Sequence, residues 1–322
     1  MTSILLTGAG FSHNWGGWLS NEAFEYLSSC RDVDQQLREE LWEDHNKPGG
    51  GFEATLGRLQ SEPKKSQALK NLESAIAGMF SAMNEGLIRA PFDGADDAKG
   101  FLSRFDAIFT LNQDLLIEQA YVTSNISLLR AHRQWVGAVL PGIRALVPPP
   151  IIGTEPDYFS ATMVPVEPLE KKLSPDMQPY VKLHGSLNWR TSEGGSLLIM
   201  GGNKARSLAV EPLLVWYQEL FREYLMRPDA RLMTIGYSFG DEHINKAICD
   251  GAASGHLGIF IVDPRGVDVL DKRDLRAQIT DKPLDLLNGT SPHIICASRR
   301  PLRATLATDK VERAKLLSFF QR

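Results

Sequence analysis

The sequence predicts an α/β protein: a parallel sheet with helices on both faces, interrupted by a helical and irregular insertion. Three observations predict it. Apolar runs of strand length alternate with segments of helical period, the pattern of strands joined by crossover helices. Most of these runs end at a glycine or a small polar residue, as buried parallel strands do where the backbone leaves the sheet. The three cysteines, Cys30, Cys249 and Cys296, are scattered and form no C-x-x-C pair, so no zinc ribbon and no disulfide framework is expected.

The elements follow in order. Residues 3–7 are apolar and stop at Gly8-Ala9-Gly10, a buried strand ending in a tight turn. Gly49-Gly50-Gly51 reads as a hinge. Leu69, Leu72, Ile76, Met79, Phe80, Met83 and Leu87 share one side of a helical wheel and predict an amphipathic helix packed on a core. Residues 93–99 read as a loop, and residues 106–111 as a second buried strand before a helix over 115–121. Nine prolines between residues 141 and 179, including Pro148-Pro149-Pro150, predict an irregular excursion across the surface with no regular helix or central strand. Strands are expected around 180–183 and 196–200. A helix then starts at Pro212 with Leu213, Trp216, Tyr217, Leu220 and Tyr224 on one face. Residues 231–237, 257–263 and 293–297 read as strands, and 241–252 as a helix.

Length and composition bound the function. At 322 residues, 43% hydrophobic and 23% charged, the chain can bury a large core without a metal or disulfide staple. No apolar run approaches the roughly 18 residues of a membrane span, so no membrane contact is expected. The start lacks a basic n-region, and the scattered thiols suit a reducing compartment, so a cytoplasmic location is expected. A net charge of −4 offers no electrostatic case for binding nucleic acid. That charge is unevenly spread. Residues 299–322 carry seven basic and two acidic side chains, a net +5 that leaves −9 on residues 1–298. We therefore divide the chain into a body, 1–298, and a basic C-terminal tail or helix, 299–322. The tail reads either as a solvated helix face anchored by Leu316, Leu317 and Phe320 or as a docking segment for an acidic neighbour.

In an open parallel sheet, ligands bind outside the carboxyl ends of the strands, so the strand ends are the informative positions. The first delivers Gly8-Ala9-Gly10-Phe11-Ser12, where missing Cβ atoms let backbone approach a pyrophosphate; a ligand-free glycine turn explains the same residues. The second delivers Thr110-Leu111-Asn112-Gln113-Asp114, suited to a carboxamide, a ribose hydroxyl or a water, or simply to an Asx turn. The third gives His184-Gly185-Ser186, a histidine whose ordinary pKa lies near working pH and which suits a general base. The fourth gives Gly236-Tyr237-Ser238-Phe239-Gly240-Asp241, a second glycine turn ahead of a helix. The fifth gives Val262-Asp263-Pro264, whose carboxylate can accept from a ribose diol or initiate a turn.

Taken together and in this order, Gly8-Ala9-Gly10-Phe11-Ser12, Thr110-x-Asn112-x-Asp114, His184-Gly185, Gly236-Tyr237-Ser238-Phe239 and Ile261-Val262-Asp263 resemble the motifs of sirtuins and sirtuin-like proteins. The resemblance implies a Rossmann-like sheet that binds NAD, with the nicotinamide ribose near Asn112 and His184. Protein-deacylating sirtuins carry a zinc module built from two cysteine pairs, a Pro-Asp-Phe-Arg-like loop, and a Gln before the Asn. Here the pairs are missing, the loop reads His13-Asn14-Trp15-Gly16-Gly17-Trp18, and Leu111 precedes Asn112. The chain thus looks like the zinc-free sirtuin-like domains of bacterial antiviral systems, which hydrolyse NAD.

That resemblance implies an NAD+ glycohydrolase with NAD as substrate, no zinc, and Asn112 and His184 as the catalytic pair. Asp114 would hold the nicotinamide carboxamide. Gly8, Ala9, Gly10 and Ser12 would cradle the pyrophosphate, and Gly236, Ser238 and Asp263 the adenosine side. A protein deacylase or ADP-ribosyltransferase, and a binding module that only senses NAD or ADP-ribose, remain the alternatives. Such domains are commonly effectors of two-gene systems, which implies a homo-oligomer and an activating partner such as a ring-forming translocase ATPase or a short Argonaute. The proline-rich stretch 141–179, the tryptophans Trp15, Trp18 and Trp42, and the C-terminal tail are the expected docking surfaces.

Overall fold

The computed structural model describes residues 1–47, 50–89, 96–123, 135–148, 157–158, 160–201, 210–271 and 286–321. Gly49, Pro149 and Pro150, and the first part of the loop expected at 93–99, lie outside them.

Seven parallel strands form the main sheet: β1 (Thr2–Thr7), β2 (Ala107–Thr110), β3 (Gly137–Val139), β6 (Met177–Lys182), β9 (Ala230–Ile235), β10 (Gly258–Val262) and β11 (Ile294–Ser298). Their spatial order is β11-β10-β9-β1-β2-β6-β3. Leaving aside β3 at the edge, this is the Rossmann order, in which the chain winds outward from β1 first to one side and then to the other. β1 is fully enclosed, with Ile4 in register between Ala107 of β2 and Leu232 of β9. The strands read as continuous apolar runs because both faces are covered, as the 0% exposure of Ile4, Leu5, Ile108, Phe109, Val181, Leu232 and Ile261 shows.

Between β1 and β2 lies the helical insertion. The five-residue α1 (Ala9–His13) leads into α2 (Ser20–Ser29), α3 (Gln35–His45), α4 (Phe52–Ser61), α5 (Ser66–Arg89) and α6 (Asp96–Leu102). α5 buries Leu72, Ile76, Met79, Phe80, Met83 and Leu87, the stripe its helical spacing predicts. α7 (Pro212–Leu225), whose Leu213, Trp216, Tyr217, Leu220 and Tyr224 are buried, packs against β1 and β9, and α8 (Glu242–Ala253) packs against α7. A small helix, α9 (Leu286–Thr290), comes before β11.

Four expectations need correction, the first being the loop expected at 93–99, whose described residues 96–99 belong to α6. The proline-rich stretch is not structureless. It contributes β4 (Ile143–Ala145), β5 (Met163–Pro165) and the start of β6. With β7 (Gly185–Arg190) and β8 (Ser196–Leu198), β4 and β5 build a second sheet of order β4-β5-β7-β8. Pro179 even lies in an inner strand, opposite Val139 of β3 and one residue before the pairing of Tyr180 with Ile108 begins. Short strands tolerate proline where their ladders begin or end. The helix expected over 115–121 is present at 116–122 but differs in type, two α-helical residues running directly into a single π-helical turn, Glu118–Val122. Trp15 is no docking surface: it is 4% exposed and packs on Phe11 at 5.0 Å between ring centroids. Trp18 is half-buried against Tyr26, while Trp42 is exposed.

The C-terminal segment folds onto the body as α10 (Leu302–Ala307) and α11 (Lys310–Ser318). Leu316 and Phe319 are buried, Phe319 and Phe320 pack on Phe105, and Arg231 donates to the carbonyls of Phe319 and Gln321. Among the described residues, no helix is long and apolar enough to cross a membrane.

Candidate active site at the strand ends

Because β10, β9, β1, β2 and β6 are parallel and consecutive in the sheet, all five expected strand ends lie along one edge. The winding direction reverses at β1, so the crevice of a doubly wound sheet opens between the ends of β1 and β9.

There the two glycine turns touch. Gly8 N–H donates to Ile235 O and Gly10 N–H to Gly236 O, each at 3.0 Å. A Cβ on Gly236 would sit 2.3 Å from Gly10 C, and Gly236 holds φ +61, a conformation glycine adopts without strain. These glycines therefore let two backbones pack directly. The amides of Gly8 and Gly10 are spent on that packing, and Ala9 is exposed at the rim.

From α1, Ser12 reaches the end of β2. Its Oγ donates to Asp114 Oδ2 at 2.8 Å and accepts from Asn112 Nδ2 at 2.9 Å. Asp114 Oδ1 accepts from Leu116 N at 3.1 Å, and the Asn112 amide N–H donates to Thr110 Oγ1 at 3.0 Å. Ser12, Asn112 and Asp114 are 2%, 9% and 6% exposed, so this chain of bonds fixes the Asn112 side chain in a largely dry setting. Both Asp114 oxygens already accept bonds, a demand its expected role toward a carboxamide did not include.

Beneath them is a buried ion pair. Lys182, the last residue of β6, donates from Nζ to Glu118 Oε1 and to the Asp114 carbonyl, both at 2.6 Å. Tyr180 Oη donates to Glu118 Oε2 at 3.0 Å. Burial pushes the Glu118 carboxyl above its ordinary pKa, and the Lys182 ammonium offsets this only in part. Burial, then the nearby Glu118 and Asp114 carboxylates, push the Tyr180 phenol well above its own. From α5, Asn84 Oδ1 accepts from Leu115 N at 3.0 Å, so the helical insertion also braces this loop.

His184 stands where the chain passes from one sheet to the other. Leu183 N–H donates to Thr110 O at 2.9 Å, and Gly185, at φ +71, turns the backbone into β7. A Cβ on Gly185 would meet Leu197 O at 1.8 Å. His184 is 2% exposed, and its Nε2 lies 3.2 Å from Nε2 of His243, in the first turn of α8. One ring nitrogen donates and the other accepts.

On the far side, Ser238 is exposed on the second glycine turn. Tyr237 Oη donates to Asn245 Oδ1, and Asn245 Nδ2 to Phe239 O, which fixes that turn against α8. Asp263 Oδ1 accepts from Arg265 N at 2.8 Å, an Asx turn of the kind its Asp-Pro sequence suggests.

Asp241, His243, Lys182 and Glu118 were not singled out as site residues from the sequence. A histidine near a helix start carries no periodic signal, and isolated charged residues read as surface.

A comparison with family models matches residues 106–287 to the SIR2-like domain. That span includes Asn112, Asp114, His184, Gly236, Ser238 and Asp263 and leaves out Gly8–Ser12 of the first turn. No curated protein matches the chain. With the match covering more than half of the sequence and the sheet built as described, the protein is an NAD-utilising enzyme by kind, and it belongs to the SIR2-like domain family.

Proposed function

We propose that this chain is an NAD+ glycohydrolase that cleaves the bond between the nicotinamide nitrogen and ribose C1′. The observation that carries the reading is the pairing of a rigidly held Asn112 with a buried His184 on the neighbouring ends of β2 and β6. Nicotinamide leaves as a neutral pyridine, so it needs no general acid. The demand is to steady oxocarbenium-like charge on the ribose and to position water.

Asn112, fixed through Ser12, holds the water and a ribose hydroxyl with its amide. His184 accepts the proton as water oxygen bonds to C1′ and the C–N bond breaks, giving ADP-ribose and nicotinamide. Asp114 holds the nicotinamide carboxamide with the lone pairs that its bonds from Ser12 and Leu116 leave open. Ala9 and Ser12 line the pyrophosphate side, with Gly8 and Gly10 setting the close approach, while Gly236, Ser238 and Asp263 border the adenosine side.

Loss of a positioned base costs about 10²–10⁴-fold in rate. Asn112→Ala and His184→Ala, each purified and shown to be folded, are expected to abolish nicotinamide release from NAD. Full activity in both variants would overturn the assignment.

Transfer of an acyl group or of ADP-ribose to protein is the second reading, and the scattered cysteines disfavour it. Following nicotinamide release with and without an acetylated peptide separates the two. An unrestrained NAD hydrolase would exhaust its own host. We therefore assign the chain to the cytoplasm as an effector of anti-phage defence, gated by homo-oligomerisation or by a partner such as a ring-forming translocase ATPase or a short Argonaute. Mass measurement of the protein alone and with its genomic neighbour tests this; a fully active monomer contradicts it.

A further inference from the structure

We propose that His184, His243 and Asp241 form a binding site for a divalent transition-metal cation of the zinc type. Their ligand atoms, one from each residue, all lie within 4.8 Å of one another. The two imidazoles meet nitrogen to nitrogen: their planes are inclined at 42° and their centroids are 5.2 Å apart, while the Nε2 atoms are 3.2 Å apart. Two nitrogens bound to one tetrahedral Zn²⁺ at its usual bond length lie about 3.3 Å apart, so the pair already has the bite of a chelate. A cation there replaces the single proton that the two nitrogens share.

The backbone around these side chains is braced before any ion arrives. His184 O accepts from Ile199 N at 3.0 Å, and Gln218 Nε2 donates to Leu183 O at 3.0 Å. On the other element, Tyr237 and Asn245 clamp the turn that leads into Asp241. Asp241 occupies the N-cap position of α8, which places its carboxylate at the same helix start as His243. Two histidines and one carboxylate make a three-ligand set that leaves a coordination position for water or substrate. The ligands come from the β6–β7 junction and the start of α8, both at the strand-end edge.

The site also bears on the proposed hydrolysis, since a bound cation occupies the His184 nitrogen that faces His243. The metal-free chain is then the cleaving form and the loaded chain the silenced one. That consequence rests on the NAD hydrolase reading; the site itself does not.

The test uses the full chain, stripped with chelator and titrated with Zn²⁺ by calorimetry, with Co²⁺ absorption as a second probe. One equivalent is expected, with a rise in unfolding temperature and a tetrahedral-type Co²⁺ spectrum. His243→Ala and Asp241→Asn, checked for folding by circular dichroism, are expected to weaken binding by at least about tenfold. No binding, or binding unaffected by either variant, overturns the site. Nicotinamide release is followed in parallel and is expected to fall on zinc loading and to recover with chelator. Zinc bound with release unchanged would instead overturn His184 as the base, and absence of cleavage in the metal-free chain would overturn the hydrolase reading. Neither outcome alters the binding result.

Discussion

Ser12 and Asp114 are 102 positions apart in the chain, yet Ser12 Oγ donates to Asp114 Oδ2 at 2.8 Å. The same hydroxyl receives Asn112 Nδ2, so one side chain from β1's end orients the amide at β2's end. Ser12→Ala removes a charge-assisted hydrogen bond of about 1.5–3 kcal/mol, which corresponds to about a 10–100-fold loss if it acts on the transition state. Nicotinamide release by the variant should show this mainly in kcat, with KM less affected. A change confined to KM would mean that Ser12 serves binding alone.

Lys182 and Glu118 are 0% and 1% exposed and form their ion pair entirely inside the protein. Lys182→Met strands a buried carboxyl and is expected to cost about 3–5 kcal/mol. The double variant Lys182→Met with Glu118→Leu should recover most of that loss, since an apolar pair of similar volume replaces the charges. Denaturant unfolding of the four proteins of the cycle gives the coupling. Additive losses would contradict it.

Gly236→Ala is expected to destabilise the fold by on the order of 2–4 kcal/mol, because the new methyl meets Gly10 backbone on a residue at φ +61. Thermal unfolding reads the loss. Gly86→Ala on α5, where a Cβ meets nothing within 4 Å, is the matched control and should be neutral or mildly stabilising.

The helical insertion carries an acid-sensitive cluster. Arg58 pairs with Glu40 at 2.8 Å and Asp44 at 3.0 Å, and Lys65 with Glu40 at 2.8 Å. Burial works to raise both carboxyls, but the hydrogen bonds from Lys65 and Arg58 to Glu40, and from Lys47, Arg58 and Thr55 to Asp44, outweigh it and hold both below their ordinary values. Folded pKa values below unfolded ones mean that this stability is complete above the unfolded values, about 3.9–4.3, and drains as pH falls through the folded ones. Arg58→Met should therefore be less stable than the parent at neutral pH, and the two unfolding curves should converge in acid. A constant gap across that range would contradict the cluster's role.

Much of the sheet was legible because parallel strands buried on both faces leave unbroken apolar runs, as in residues 3–7 and 258–262. Their ends were legible because a polar residue directly after such a run has one place to be. Of the second sheet only β8 was legible, within the strand expected at 196–200; β4 and β5 are three residues each and the proline count outweighed so short a signal. The candidate residues could be named one at a time but not as a network. Nothing local ties Ser12 to Asn112, or His184 to His243 at a separation of 59 positions. Pairings of that kind are decided by which strands are neighbours, and strand order is a property of the whole chain.

The place of β1 has a consequence in time. β1 precedes both of its sheet neighbours in the chain: β2 follows roughly a hundred residues later and β9 more than two hundred. Pairings so distant in sequence are slow to form and are closed late. Ser12 therefore waits for β2 to supply Asn112, and the turn at Gly10 waits for Gly236. The crevice between β1 and β9 is therefore closed by a strand that a growing chain acquires only long after the first glycine turn has been made.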